Sequence, residues 1–379
     1  MPTNDLKLPV ELWLLVFSFG KFSSNDLAVL CRVCAGLYHA VVDPLYESIT
    51  VDNSDVCTTL AECPHLAEKV KSFVFTYPTT MVYDGPEVHL DNLTSAPKNM
   101  TCLSTLKLIH SQKHGYSSVL QYCDAELHVF HCTYHVNRHL LNFLNRQDSV
   151  RDLALTGMPT IDIYPEREEM FLPTSLPLLT EISANSCFLK ALVPGRPVHT
   201  VRFKGQHVHR SGTRLSDFID PSTVPVKNLG LDFMMRRPAD MCRTPLSKDI
   251  EEITLTGLVT ERLFTWPRNF GVPFWGHFDR MIANARNLKR LTFWFEEQRE
   301  NARSWAQLIF LVFQDTLSRL EHVSCVFAGP DISTSFDFSS DDYLPISHEV
   351  QDDRTRGHRA ANDVRELMPV QVLSTLLQE

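Results

Sequence analysis

The sequence predicts an α/β chain, with three short N-terminal helices followed by a solenoid of short parallel strands and returning helices. Three observations lead there. Helical periodicity dominates the first stretch, Leu6–Tyr46. One apolar template then recurs from Val70 to Cys325, at a mean separation of about 28 residues. Helical patterns lie between several copies of that template.

Within Leu6–Tyr46, Pro9 suits the first turn of a helix, where its missing N–H costs nothing. Glu11 falls in the same turn, where the helix dipole favours an acid. Leu12, Leu15, Val16 and Phe19 recur at i, i+3, i+4 and i+7, which predicts one apolar helical face. Gly20 is a stop signal, and Ser23, Ser24 and Asn25 are capping types for a second helix. The second face reads Leu27, Leu30, Cys31 and Cys34. A third helix carries Leu37 and Val41 and is expected to end near Pro44. Helices this short bury little core and need a partner, either the rest of the chain or another protein.

After Tyr46 the template is apolar, two free positions, apolar, one free position, apolar. It reads Val70-x-x-Phe73-x-Phe75, then Leu103, Leu106, Leu108, then Val150, Leu153, Leu155. Copies follow at Leu179, Ile182, Ala184; Val198, Val201, Phe203; Val226, Leu229, Leu231; Ile250, Ile253, Leu255; Leu288, Leu291, Phe293; and Leu320, Val323, Cys325. A further copy around Leu127 and Val129 keeps only its second half, because Asp124 replaces the first apolar residue. Alternation within each copy predicts a strand with one buried face. Helical patterns at Val136–Asn145, Phe274–Ala285 and Arg303–Leu317 each precede a strand. One unit cannot cover its own apolar face, so units must stack. A conventional α/β domain with a parallel sheet would show the same alternation. In period and template, Val51–Ala328 resembles an irregular leucine-rich-repeat array, with Asn185 nearest to the asparagine typical of such repeats.

The expected organisation is therefore residues 1–50 helical and 51–328 repetitive. Residues 329–359, where Asp331, Asp337, Asp341, Asp342, Glu349, Asp352 and Asp353 lie among serines, read as an acidic flexible loop. Residues 360–379 regain a helical pattern that suits a cap on the last repeat.

A formal charge of −9 over 379 residues argues against a protein that grips nucleic acid with its whole surface. The ten cysteines show no tight repeating spacing and no secretory signal precedes them, so reduced thiols and a cytoplasmic or nuclear location are expected. No stretch approaches the ~20 apolar residues of a membrane span. No glycine-rich phosphate loop or nucleophile elbow occurs, and no cofactor is expected.

Two constellations invite chemistry. Cys123, His128, His131, Cys132, His135 and His139 are zinc-ligand types, but Val136 stands where a zinc hydrolase needs glutamate, and no metal is expected. Cys31 and Cys34 form a lone C-x-x-C on an apolar helical face, which favours core packing. The segment Arg196–Arg214 carries Arg196, Arg202, Lys204, Arg210 and Arg214 and holds no acid at all, and Arg236 and Arg237 lie one repeat later. Arg202, Lys204, Arg210, Arg214, Arg236 and Arg237 are candidate target-binding residues for an acidic or phosphorylated segment. A solvated loop balancing the acidic tail is the alternative.

Leu8-Pro9, Glu11-Leu12, Val16, Asp26-Leu27, Leu30, Val33-Cys34, Leu37 and Pro44-Leu45-Tyr46 together resemble an F-box motif, over about a ninth of the chain. The resemblance implies a non-catalytic receptor that docks on the adaptor subunit of a cullin-RING ubiquitin ligase and holds a target protein. It implies adaptor contacts at Leu8, Pro9, Glu11, Leu12, Val16, Leu27, Leu30 and Val33. Two other classes stay open: a repeat protein that binds partners with no link to ubiquitin, and a metal-dependent enzyme built on the histidine cluster.

Overall fold

A computed structural model describes residues 10–20, 22–51, 55–77, 95–110, 117–157, 171–204, 215–232, 246–258, 278, 281–295, 306, 320–328, 333–339 and 346–349. The chain forms two compact units, Met1–Leu229 and Gly230–Glu379.

The first unit opens with α1 (Val10–Phe19), α2 (Ser24–Cys31) and α3 (Ala35–Glu47). Ser23 caps α2: its hydroxyl accepts the Asp26 N–H at 3.2 Å, and the Asp26 carboxylate accepts the Ser23 N–H at 3.0 Å. The α3 helix runs through Pro44 to Glu47 instead of ending near the proline. Pro44 removes only one late-turn hydrogen bond, and the buried Ala40, Val41 and Val42 hold the turn in place. The helix passes directly into strand β1 (Ser48–Val51), so no linker separates the helices from the sheet. Ion pairs Asp43–Lys69 and Glu47–Lys71, the latter at 2.9 Å, tie α3 to the next turn of chain.

After β1 come α4 (Asp55–Glu62), α5 (Pro64–Ala67), β2 (Ser72–Tyr77), β3 (Thr105–His110), β4 (Val129–Cys132), α6 (Arg138–Leu144), β5 (Asp152–Leu155), β6 (Glu181–Ala184), α7 (Ser186–Leu192), β7 (Thr200–Phe203) and α8 (Ser216–Ile219). Strands β1 to β7 pair in chain order and all in parallel. A doubly wound sheet reverses its strand order at a switch point, and this one does not. Monotonic parallel order is the arrangement of a solenoid.

The register explains why the template recurs. Ile49, Phe73, Leu106, Phe130, Leu153, Ile182 and Val201 are successive cross-strand partners, and all are buried. The copy expected around Leu127 and Val129 is displaced by three residues. Its strand uses Leu127-x-x-Phe130-x-Cys132, a complete template, because Phe130 pairs with Leu106. At the start of each strand one carbonyl receives two amides from the next repeat. The Lys71 carbonyl takes Ser104 and Thr105, that of Ser104 takes His128 and Val129, and that of His128 takes Arg151 and Asp152. Arg151, Thr180 and His199 repeat the pattern in turn. Small side chains close the gaps between layers. Gly157 packs on the Tyr134 carbonyl so tightly that a Cβ would stand 1.7 Å from that oxygen.

Strand β8 (Asn228–Asp232) spans the boundary between units. In the second unit β9 (Glu252–Leu258), β10 (Arg290–Phe295) and β11 (His322–Ala328) are parallel neighbours, with Ile253, Leu291 and Val323 in register. An extra residue in β9 makes a bulge opposite Trp294, accommodated by Gly257 at φ 69°. Of the helices expected here, Phe278, Met281, Ile282 and Ala306 take helical positions and are buried. The segment expected to be an acidic flexible loop carries β12 (Ser333–Ser339) and β13 (Ile346–Glu349) instead, which extend the sheet in antiparallel fashion. Alternation at Ser335-Phe336-Asp337-Phe338 supplies the strand signal that its acids obscured. The helix expected over 360–379 lies outside the described residues.

Candidate functional site

The residues singled out in the sequence fall on two faces of the first unit. The first is helical. Phe17, Leu27, Leu37, Ala40 and Val41 form a small core, with Trp13, Leu30, Cys31, Cys34 and Leu45 packed around it. Trp13 stacks on Phe17 at 5.9 Å, and Phe22 meets Phe17 edge-on at 5.5 Å. The inward residues of α1 are thus Trp13 and Phe17, at i and i+4. The apolar face read from the sequence points outward: Leu12 is 46% exposed and Val16 45%, and Leu15 is exposed beside them. Val33 is 64% exposed, and Phe22, Val29 and Tyr38 are exposed as well.

The expected adaptor contacts therefore divide. Leu12, Val16 and Val33 are on the surface. Leu27, at 8% exposure, belongs to the trio's own core, and Leu30 is partly buried against it. Glu11 lies on α1, while Leu8 and Pro9 lie outside the described residues. Cys31 and Cys34 pack against the core, as their place on a helical face implied.

The second face is the side of the sheet opposite the helices' apolar anchors. Residues between the anchors point there. Lys107, His131, Ala154, Ser183 and Arg202 are cross-strand neighbours in one row over β3–β7. Val129, Asp152, Glu181 and Thr200 form the adjacent row. His131 Nε2 lies 3.1 Å from Asp152 Oδ2, and Arg202 Nη1 donates to Glu181 Oε2 at 3.1 Å. Partial burial works to raise the Asp152 pKa, but the His131 bond and the charges of His131, Arg202 and Lys107 outweigh it and hold the carboxyl below its usual value.

Of the expected target-binding residues, Arg202 sits on this face, and Lys204 follows at the end of β7. Arg210, Arg214, Arg236 and Arg237 lie outside the described residues. Arg196, from the same basic segment, is not on the surface at all. It is 3% exposed, and its guanidinium donates to the carbonyls of Ser175 at 2.9 Å, Leu192 at 3.0 Å, Pro194 at 3.1 Å and Leu172 at 3.2 Å. It stitches the end of α7 to the preceding loop.

The histidine-rich segment is pulled apart by strand alternation. His131 faces the open side and pairs with Asp152, while Cys132 next to it is buried and its thiol is pushed up to about 12. Burial also raises the Cys123 thiol. His139 is exposed on α6, whose other side is buried. Among the described residues, no three His, Cys, Asp or Glu side chains group as a metal site requires. Among them too, no helix is long and apolar enough to cross a membrane.

Sequence reasoning missed the acidic half of the open face. Asp152 and Glu181 each precede a central anchor, and that position was the available signal. No family model matches the chain, and no curated protein matches it.

Proposed function

We propose that this chain is the substrate-recognition subunit of an SCF-type cullin-RING ubiquitin ligase, with the helical trio docking on the adaptor and the repeat array holding a target. The reading rests first on the F-box-like anchors of Leu6–Tyr46. The observation that carries it furthest is apolar exposure at Leu12 and Val16 on α1, and at Val33 in the turn after α2, on a trio whose core is already filled by other residues. Exposed apolar side chains that a chain's own core does not use suit an interaction surface. The chain itself performs no covalent step in this scheme. It raises the effective concentration of target lysines near the charged ubiquitin carrier. Target recognition falls to the open sheet face around Arg202 and Lys204.

Co-expression with the adaptor subunit tests the proposal. Wild type co-elutes with the adaptor, and the Leu12→Asp/Val16→Asp variant does not. Absence of a wild-type complex removes the ligase reading. A second reading then stands, a partner-binding repeat protein unconnected to ubiquitin. It is favoured by the direct passage of α3 into β1 and the ion pairs that bind α3 to the array, since helices so placed also cap a solenoid.

A further inference from the structure

We propose that the open face of β4–β7 contains a notch for one lysine or arginine side chain, carried on an extended segment of the captured protein. The inference rests on the reading of that face as the target surface.

The row across β3–β7 reads Lys107, His131, Ala154, Ser183, Arg202. Long side chains flank two small ones. Neighbouring strands stand about 4.8 Å apart, so the backbones of His131 and Arg202 are about 14 Å apart, with the small pair between. Ser183 forms the floor. It is 8% exposed, its strand neighbours Ile182 and Ala184 are in the core, and its hydroxyl has no hydrogen-bond partner among the described residues.

One row over, Asp152 and Glu181 are direct cross-strand neighbours. Like charges placed opposite one another in a sheet are unfavourable. Each carboxylate has its own partner, His131 for Asp152 and Arg202 for Glu181, and no described side chain bonds to both. An incoming ammonium or guanidinium group between them satisfies both carboxylates and gives the Ser183 hydroxyl a donor. A carboxylate or phosphate in that position meets two like charges.

The flanks carry the opposite preference. Lys107 lies on one side of the notch, and Arg202 and Lys204 lie on the other. From Lys107 to Arg202 is four strand spacings, about 19 Å, the reach of about six extended residues. The partner segment is therefore of mixed charge, a base between acids. A uniformly acidic segment does not match this face.

A positional-scanning peptide library passed over the full-length chain tests the notch. The expected result is enrichment of Lys and Arg over Ala at one position by at least about tenfold, the ratio that 1.4 kcal/mol produces. Asp152→Asn/Glu181→Gln and Ser183→Leu variants lose that enrichment. A synthetic peptide of the selected sequence loses binding to the wild type when its base becomes norleucine, a comparison independent of whether any variant folds. Selection of acids or phosphoserine, no selection, or enrichment that survives in a folded Asp152→Asn/Glu181→Gln variant overturns the proposal. Adaptor co-elution separates the two readings: a chain that binds adaptor without selecting a base removes only the notch, and a chain that selects a base without adaptor removes only the ligase role.

Discussion

A guanidinium sealed from water is tolerable only while its N–H groups have acceptors. Arg196 meets that condition with five carbonyls and the Ser175 hydroxyl, including the carbonyls of Ala191 and Leu192 at the end of α7, where helix carbonyls lack partners of their own. Lysine has neither the planar fork nor the reach to serve the Ser175 and Leu172 carbonyls together. Arg196→Lys is expected to cost about 2–3 kcal/mol in urea unfolding, in line with buried polar groups left unpaired. Gly157→Ala is expected to cost at least as much, because the Cβ would meet the Tyr134 backbone and no side chain can swing aside. Asp152 adds a pH signature. Its folded pKa lies below the unfolded value, so its contribution is complete above about pH 4 and is lost as pH falls through the folded value. Asp152→Asn should therefore lower stability at neutral pH and flatten the acid limb of a denaturation midpoint measured from pH 5 to 2. A midpoint curve parallel to wild type would show that the His131 pair contributes nothing.

The strands were legible because the same physics repeats in each. The buried anchors from Phe73 to Leu229 in the first unit, and Ile253, Leu291 and Val323 in the second, follow the template read from sequence except at Leu127. The slip at Leu127 came from a real ambiguity: Leu127-x-Val129 and Phe130-x-Cys132 both alternate, and only pairing with Leu106 decides between them. Helix α1 holds a related ambiguity. Its sequence is apolar on more than one face, so periodicity alone could not say whether Leu12 and Val16 or Trp13 and Phe17 turn inward. The aromatic pair goes in because it fills the larger volume against Leu27 and Leu37. Asn185 illustrates a residue found by pattern whose role only geometry gives. It follows β6 as a repeat asparagine should, and its side chain accepts the Phe188 N–H at 3.3 Å to cap α7. Asn185→Ala should cost about 1 kcal/mol in the same unfolding assay, while Asn185→Asp, which keeps the acceptor, should cost less.

At the scale of the molecule, an acidic chain presents two faces of different chemistry, one apolar on α1 and α2 and one of mixed charge on β3–β7. They are made by separate elements, and neither uses the residues that form the shared core. Substitutions should therefore separate three properties that a folding defect would couple. Leu12→Asp/Val16→Asp changes only exposed positions, so it should alter stability by less than about 1 kcal/mol. It should abolish adaptor co-elution and leave peptide selection by the sheet face intact. Leu27→Asp puts a charge into the helical core, and it should lose stability and adaptor binding together. Arg202→Glu removes the cation that neutralises Glu181 and should change peptide selection while leaving adaptor co-elution intact. The decisive comparison is between the first two variants, measured by thermal melting and adaptor binding on the same preparations. If Leu12→Asp/Val16→Asp melts as early as Leu27→Asp, then Leu12 and Val16 support the fold, and the outward face of α1 is not a docking surface.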